Sequence, residues 1–209
     1  AGLLLSRSFD LVYLHTGDNP SPSRKYLFFR LAQLRGVRCV VHWHAASFME
    51  QYPQLSGFWR RRIIRMLTAA EQVICLSESW RDELFKIAPL ARITVLPNAV
   101  SLPRLDDGPR EPGEVRLTFL GLIGLRKGIW DLLESLRQLR EMGLRIRLAV
   151  GGNGDVQKLD AEIERLGLTG VVDYLGWISA EERDRLLRVT DIYVLPSYGE
   201  GLPMSVLEA

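Results

Sequence analysis

Two carboxylates and a glycine–proline turn near the end of the chain are the residues best suited to chemistry. Seven residues lie between Glu200 and Glu208, in a segment that reads as a buried strand, a tight loop and the opening of a helix. Gly201 lets the backbone approach a ligand closely, and Pro203 suits the first helical position, where its missing N–H costs nothing. The free N–H groups of a helix start favour an anion. A ligand that is both a polyol and a phosphate ester fits this arrangement.

A second group of candidate residues follows a predicted strand in the middle of the chain. Gly121 and Gly124 precede the adjacent cations Arg126 and Lys127, which enter a predicted helix. Such a loop can hold a diphosphate through backbone N–H groups while a cation neutralises its charge. The order of residues excludes a Walker A loop. The alternative interpretation is a turn with a solvated Arg–Lys pair.

The next two predicted strand ends also carry glycines. Gly152 and Gly154 form a close-approach turn without the Gly-x-Gly-x-x-Gly spacing of dinucleotide-binding folds. The alternative is an ordinary glycine-rich turn in which Asp155 caps the next helix. Trp177 follows the third strand, where it either lines a base pocket or belongs to a local core.

The elements that position these residues alternate between strand and helix. The predicted strands are Asp10–His15, Val37–His42, Gln72–Leu76, Ile93–Leu96, Val115–Leu120, Arg145–Val150, Val171–Leu175 and Ile192–Leu195. The predicted helices are Arg24–Leu34, Phe58–Ala70, Ser79–Ile87, Ile129–Met142, Val156–Leu166 and Ala180–Val189. Short strands rich in Val, Ile and Leu are typical of parallel sheets covered on both faces, and the alternation favours doubly wound α/β architecture. Ser79 and Ser179 are predicted N-caps, the latter with Glu182 completing a capping box.

One segment interrupts the alternation and predicts a division into two domains. Residues 101–113 contain three prolines and two glycines, which is typical of a linker. The linker separates an N-terminal α/β domain, residues 1–100, from a C-terminal α/β domain, residues 114–209. Two such domains that face each other form a cleft, with ligands at the carboxyl ends of the strands.

Composition excludes several classes of protein. The chain has 209 residues, of which 47% are apolar and 25% charged, and its net charge of +2 is too small to indicate nucleic-acid binding. Cys39 and Cys75 lie in apolar runs and are expected to be buried thiols; a disulfide is the alternative, and no zinc-ligand spacing exists. No apolar run approaches the roughly 20 residues that span a bilayer. We expect a cytoplasmic protein, and we expect the chain to be a fragment cut at both ends.

The combined motifs resemble glycosyltransferase family 4, whose members have the two-domain GT-B fold. The matching segments in the second half are Phe-Leu-Gly…Arg-Lys-Gly128, Gly-Gly-Asn-Gly154, Tyr-Leu-Gly-Trp177 and Asp-Ile-Tyr-Val-Leu-Pro-Ser…Glu-Gly-Leu-Pro…Leu-Glu208. The matching segments in the first half are His42-Trp-His44, Val-Ile-Cys-Leu-Ser-Glu78 and Leu-Pro-Asn-Ala-Val100. The resemblance covers most of the chain, and the glutamate pair around Gly-Leu-Pro is its most specific part.

The resemblance implies a role for each matching residue. Lys127 matches the lysine that contacts the donor diphosphate, Glu200 the glutamate that faces the transferred sugar, and Glu208 the glutamate that binds the ribose hydroxyls. His44 matches a first-domain histidine near the sugar or acceptor. Backbone groups and a base pocket complete the implied donor site: Gly121, Gly124, Gly152, Gly154, Trp177, Gly201 and Leu202.

The resemblance also implies the reaction and the partners. The reaction is sugar transfer from a nucleotide diphosphate donor, with retention at the anomeric carbon, to a glycan or lipid-linked acceptor. No metal or other cofactor is expected, because preorganised cations and a helix N-terminus can stabilise the departing diphosphate. Polysaccharide or glycolipid assembly is the expected context, and the fragment alone is expected to be inactive.

One position departs from the family pattern. An arginine often follows the first glycine of the phosphate loop in this family, whereas Leu122 occupies that position here. Arg126 is the candidate to supply the charge instead. Three alternatives stay open: a nucleotide-sugar epimerase of the same architecture, a hydrolase with Glu200 and Glu208 as acid and base, and an inactive nucleotide-sugar-binding fragment.

Two further features of the first half carry hypotheses. His42 and His44 flank Trp43, and we expect them to point to opposite sides of a continuing strand, one buried and one facing the cleft, which argues against a metal held by the pair. The second predicted helix is basic and amphipathic. Its apolar face packs on the core, while its other residues form either a solvated face or a membrane-surface patch consisting of Trp59, Arg60, Arg61, Arg62 and Arg65.

Overall fold

The computed structural model describes residues 9–18, 20–101 and 113–209 of the chain. Residues 102–112 of the predicted linker lie outside the described residues. The described residues separate into two compact units. One contains the residues up to Asn98 together with Glu200–Leu202, and the other contains Ala99–Gly199 together with Pro203–Ala209.

The first unit is a parallel sheet with helices between its strands. Its elements in chain order are β1 (Leu11–Thr16), α1 (Ser21–Leu34), β2 (Arg38–Trp43), α2 (Phe48–Gln51), a 3-10 turn (Tyr52–Gln54), α3 (Gly57–Ala69), β3 (Gln72–Cys75), α4 (Glu78–Ile87) and β4 (Ile93–Val95). The four strands lie in the order β1-β2-β3-β4, and each pairs in parallel with its neighbour.

The core of the first unit follows from apolar periodicity. In α3, Ile63, Met66 and Leu67 are spaced for one helical face and are completely buried. In β2, Val41 and Trp43 are buried on one face of the sheet while His42 is buried on the other. A strand covered on both faces is expected in the interior of a parallel sheet.

The second unit repeats this design. Its elements are β5 (Val115–Leu120), a 3-10 turn (Leu125–Lys127), α5 (Ile129–Glu141), β6 (Ile146–Gly151), α6 (Val156–Arg165), β7 (Val172–Gly176), α7 (Ala180–Arg188), β8 (Ile192–Tyr193) and α8 (Met204–Glu208). The strands lie in the order β7-β6-β5-β8, and all are parallel. The predicted fold class, α/β with two Rossmann-like parallel sheets, is confirmed.

The core of the second unit lies between its sheet and its helices. Phe119 of β5 and Leu148 of β6 are completely buried, and Leu133 and Leu136 of α5 pack in the same cluster. Because β5 is central and its last four residues are all buried, its carboxyl end is held firmly. The candidate loop after β5 therefore starts from a rigid position.

Helix starts were predicted with mixed success. Ser179 and Glu182 form the predicted capping box, with Ser179 Oγ accepting from the Glu182 amide and Glu182 accepting from the Ser179 amide. The Ser79 prediction was wrong. Ser77 caps α4, because its hydroxyl accepts from the amide of Trp80 at 3.3 Å. Pro203 lies one residue before α8, at its N-cap, rather than at the first helical position.

Two expectations, about membrane-spanning segments and about the cysteines, can be compared with the described residues. None of the helices in the described part of the chain combines the length and apolar character needed to cross a bilayer. Cys39 and Cys75 are both buried and both unpaired, so they are buried thiols as expected.

Candidate functional site

The predicted donor loops of the second unit share one edge of its sheet. Carboxyl ends of parallel strands meet at the same edge, so the loops after β5, β6, β7 and β8 are neighbours there. The order β7-β6-β5-β8 places the loop after β5 between those after β6 and β8. The predicted cationic glycine loop is therefore central.

The loops after β5 and β6 are packed so closely that glycine is required. Gly152 has φ +144°, and a Cβ there would lie 1.9 Å from the carbonyl oxygen of Gly121. Gly154 has φ +130°, and a Cβ there would lie 2.3 Å from the oxygen of Ile123. Hydrogen bonds join the same loops, from Ile123 N to the Asn153 oxygen at 2.7 Å and from Asp155 N to the Ile123 oxygen at 3.0 Å. Loop-to-loop packing alone accounts for these two glycines.

Gly124 differs from the glycines of the β6 loop because the space beside it is open. An added Cβ at Gly124 would meet no atom of residues 9–18, 20–101 or 113–209 within 4 Å, and the φ of Gly124, 172°, is available to any residue. An added Cβ at Gly121 would make only ordinary contacts, one of them 3.9 Å from Cδ of Lys127. The Lys127 stem thus lies beside Gly121, while Leu122 is exposed to solvent.

The cationic turn is fastened to the loop after β8. The carbonyl of Arg126 accepts from the amide of Tyr198 at 2.9 Å and from the hydroxyl of Ser197 at 3.0 Å. Its guanidinium Nη1 donates to the oxygen of Gly199 at 3.3 Å. Arg126 therefore holds residues 197–199, directly before Glu200.

A glycine and a tyrosine outside the predicted site complete this junction. Gly128 has φ +70°, and a Cβ there would lie 2.0 Å from the Pro196 oxygen. Tyr198 donates its hydroxyl proton to Asp131 at 3.0 Å, and this hydrogen bond raises the pKa of Tyr198. The sequence signal for Gly128 was its place directly before a helix; the contact with a loop nearly 70 residues away has no local signal.

Glu208 lies beside a cavity of the second unit and is ion-paired. Its carboxylate accepts from Nη1 of Arg183 at 2.5 Å, and the same guanidinium donates to Asp184 at 2.8 Å. The hydrogen bond to Asp184 is the main reason that the pKa of Arg183 is raised. The cavity measures about 300 Å³ and is lined by Ala99, Val100, Ser101, Arg183, Asp184, Met204 and Glu208. Sequence reasoning missed Arg183.

Trp177 is 79% exposed. The alternative interpretation of this residue as local core was therefore wrong. A large aromatic side chain left in solvent at a strand end is available for stacking. Asp155 occupies the N-cap position of α6, but its side chain makes no capping hydrogen bond.

The remaining predicted site residues belong to the first unit. Glu200, Gly201 and Leu202 group there with His44. The oxygen of Leu202 accepts from Nδ2 of Asn98 at 2.8 Å, and a Cβ on Gly201 would lie 3.3 Å from the His44 oxygen. The predicted site residues are thus divided, with Arg126, Lys127 and Glu208 in the second unit.

The expected separation of His42 and His44 was wrong. Residues two apart on a strand share a face, and the rings of these histidines have centroids 3.9 Å apart. His15 joins them from β1, where it lies opposite His42 in the parallel register. Its Nδ1 and Nε2 of His44 are 2.9 Å apart and share a hydrogen bond. Alternation along the strand therefore does not separate the two imidazoles, and it gives no reason to exclude a metal held by the pair.

Burial and charge shift the histidine pKa values downward. Burial is the main cause that lowers the pKa of His42 to about 4, followed by the charges of His44 and His15. Burial, and then the charge of His15, lowers the pKa of His44. Nδ1 of His42 is hydrogen-bonded to the Tyr13 hydroxyl at 2.7 Å, whereas its Nε2 is buried and has no hydrogen-bond partner among the described residues.

Comparisons with known proteins place the chain in a family. Residues 1–104 match the profile described as Glycosyltransferase Family 4, and residues 106–209 match that described as Glycosyl transferases group 1. A glycogen synthase of Mycobacterium tuberculosis is 27% identical over 188 residues, which cover 86% of this chain and 45% of the relative.

A UDP-Gal:alpha-D-GlcNAc-diphosphoundecaprenol alpha-1,3-galactosyltransferase of Escherichia coli is 25% identical over 99% of this chain and 57% of the relative. A solved structure of trehalose-6-phosphate synthase, studied for glycosyltransfer with retention, superimposes with a TM-score of 0.74 at 14% identity, over 99% of this chain and 57% of that one. This chain spans about half the length of the curated relatives it matches. With two family profiles covering its two halves, the chain belongs to the family 4 type of GT-B glycosyltransferases.

Proposed function

We propose that the protein containing this chain transfers a sugar from a nucleotide diphosphate donor to a glycan or lipid-linked acceptor, with retention at the anomeric carbon. Its role is in polysaccharide or glycolipid assembly. The observation that carries the proposal is the junction at the start of α5, where Lys127 lies beside Gly121 in a glycine loop that opens a 13-residue helix. Backbone N–H groups, a helix N-terminus and a cation together suit a diphosphate.

The second unit stabilises the leaving group, which is the nucleoside diphosphate. Cleavage of the bond between the anomeric carbon and the diphosphate oxygen sends an electron pair to the diphosphate and leaves positive charge on the sugar. Lys127 neutralises the growing negative charge, and α5 adds its dipole. Arg126 acts partly through position, because its guanidinium and its carbonyl both hold residues 197–199. No metal is needed for these contributions.

The rest of the donor is bound by groups around this junction. Gly124 leaves space for a phosphate to approach the backbone. Glu208, oriented by Arg183, accepts from the ribose hydroxyls, and Trp177 stacks on the base. The UDP-Gal in the name of the Escherichia coli relative supports a UDP-sugar as the first donor to test.

The acceptor side is assigned to the first unit. Glu200 and the backbone of Gly201 and Leu202 orient the sugar, and His44 contacts the sugar or the acceptor. The acceptor hydroxyl forms the new bond on the face from which the diphosphate leaves, and its proton passes to a departing phosphate oxygen. The retaining trehalose-6-phosphate synthase supports the same stereochemistry here.

A peripheral contact with the cytoplasmic face of the membrane would bring a lipid-linked acceptor within reach. Arg61 and Arg65 are exposed on α3, whereas Arg60 donates to the oxygen of Leu55 at 2.9 Å and Arg62 stacks on the Phe58 ring at 3.3 Å. The two exposed arginines are therefore the ones available to anionic lipid.

The transferase proposal is tested in the full-length protein with UDP-sugars and release of UDP. Lys127→Ala should lower kcat by about 10²–10³, the usual cost of losing one preorganised donor. The matched control is Lys158→Ala. Lys158 belongs to α6, lies over the ring of Trp130 of α5 and has no assigned role in the reaction. Normal turnover by Lys127→Ala would refute the assignment, and sugar inversion without UDP release would indicate an epimerase.

The membrane proposal is tested by flotation with vesicles containing anionic lipid. Arg61→Glu combined with Arg65→Glu should abolish salt-sensitive binding. Arg185→Glu combined with Arg188→Glu makes the same charge change on the exposed side of α7 and should leave binding intact. Equal flotation by both double variants would remove α3 from the proposal.

A further inference from the structure

All three histidines of the chain lie in one cluster. His15, His42 and His44 are the only histidines among the 209 residues. One ring nitrogen of each lies within 4.8 Å of one ring nitrogen of the other two. The cluster spans the carboxyl ends of β1 and β2, and the amide of His44 donates to the oxygen of Thr16 at 2.7 Å. The backbone therefore fixes the relative positions of the three side chains.

His42, the most buried of the three histidines, uses one of its ring nitrogens in a hydrogen bond, and the other is available to a ligand. His42 is only 9% exposed. Its Nδ1 is hydrogen-bonded to the hydroxyl of Tyr13 at 2.7 Å, whereas its Nε2 is buried and finds no hydrogen-bond partner in the part of the chain that the structure describes. A buried polar atom without a partner is costly in free energy. A ligand bound at Nε2 removes that cost.

We propose that His15, His42 and His44 bind a divalent first-row transition metal ion, with Zn²⁺ as the best match. Three imidazoles are a known protein ligand set for Zn²⁺. Metal-bound histidines characteristically use their second ring nitrogen in a hydrogen bond that fixes the tautomer and the ring orientation, and Tyr13 does so for His42. Nδ1 of His15 and Nε2 of His44 are the other two proposed ligand atoms, and without a metal they share a hydrogen bond at 2.9 Å.

The number of protein ligands distinguishes a structural zinc site from one that is open to a further ligand. Structural zinc sites are closed by four protein ligands, whereas three protein ligands leave a position for water or a substrate oxygen. The burial of the cluster is graded, since His42 is buried, His44 is half-buried and His15 is exposed. The open position therefore faces the exposed side, where a hydroxyl-bearing molecule can reach the ion. When the ion is bound, the contact that the proposed function assigns to His44 is made at this open position and not by the imidazole itself.

The test is a titration of the metal-free 209-residue chain, prepared without a histidine tag, with Co²⁺ and then with Zn²⁺ in competition. The expected result is uptake of a single ion with the visible absorption of a low-coordinate Co²⁺ site. His42→Asn keeps a group that can bond Tyr13 but removes Nε2, and His44→Asn likewise removes its Nε2. Loss of a hydrogen bond to a metal ligand typically weakens metal affinity by about 10–100-fold. Loss of a ligand itself, in either variant, should weaken metal affinity more than that.

Further variants distinguish binding at the histidines from binding elsewhere on the chain. Tyr13→Phe should weaken binding by about 10–100-fold. Cys39→Ala combined with Cys75→Ala should leave binding unchanged. Because His15 is exposed, His15→Gln, whose amide does not occupy the position of Nδ1, is expected to keep the fold and still lose affinity, which keeps the test decisive if His42→Asn unfolds. Absence of saturable Co²⁺ uptake by the parent chain, or uptake that survives in His15→Gln and His44→Asn, would overturn the proposal.

Discussion

His42 should make the first unit sensitive to mild acid. Its pKa falls from an ordinary 6.5 to about 4 in the folded chain. Between these two pH values His42 is protonated in the unfolded chain but neutral in the folded chain. The free energy of unfolding therefore decreases as the pH falls from 6.5 towards 4. One pKa unit corresponds to about 1.4 kcal/mol, so the full loss is about 3 kcal/mol. Above pH 6.5 this contribution is constant.

The measurement is amide hydrogen exchange between pH 4.5 and 7.5, with chelator present and with rates corrected for intrinsic exchange. Peptides covering β2 should lose protection below pH 6.5. Peptides covering β6 provide an internal reference, because all three histidines lie in the first unit. His42→Asn should remove most of this dependence while preserving a partner for Tyr13.

His15→Asn is the matched control, because the charge of His15 is the last of the three causes that lower the pKa of His42. It should keep most of the acid sensitivity. A loss of protection in β2 that is the same in His42→Asn as in the parent chain would refute the reasoning. So would a parent chain whose β2 protection does not change between pH 6.5 and 4.5.

Three further predictions concern the remaining loops and caps. Gly152→Ala should destabilise the second unit in thermal unfolding by about 1–3 kcal/mol or more, because the backbone conformation at this position is strained for any residue with a Cβ. Gly124→Ala should leave the stability unchanged but weaken UDP binding, measured by calorimetry. Ser77→Ala should cost about 1 kcal/mol in urea unfolding, and Ser77→Thr should retain most of the cap. In the full-length protein, Arg183→Gln should raise the KM for the donor more than it lowers kcat, because it removes the partner that orients Glu208; an unchanged KM would contradict this role.

The elements of this fold could be predicted because their signals are local. Strand β5 was located to the residue, since a mainly apolar run, interrupted by Arg116 and Thr118, ends at a glycine. The capping box of Ser179 and Glu182 needs only a four-residue pattern. The cap of α4 was misplaced because two serines stand two positions apart, and only the backbone conformation decides which hydroxyl reaches the Trp80 amide.

The glycines of the candidate site show where sequence reasoning reaches its limit. A glycine after a strand indicates close approach, but the sequence does not say what approaches. At Gly152 it is the carbonyl of Gly121, and at Gly154 it is that of Ile123. Both partners lie about 30 residues away, on a neighbouring strand end. At Gly124 the space is open, so this glycine remains the best candidate for contact with a ligand.

The histidine cluster depends on strand register. Two-residue alternation places His42 and His44 on one face, but His15 joins them only because β1 and β2 pair with His15 opposite His42. A slip of one residue would put Leu14 or Thr16 opposite His42 and turn His15 to the other face of the sheet. The pairing is held by the buried side chains Leu14 and Thr16, which flank His15 on the opposite face. The position of the three imidazoles is therefore a consequence of how the apolar face of β1 packs, and any chemistry at the cluster should be lost by variants that disturb that face without touching a histidine.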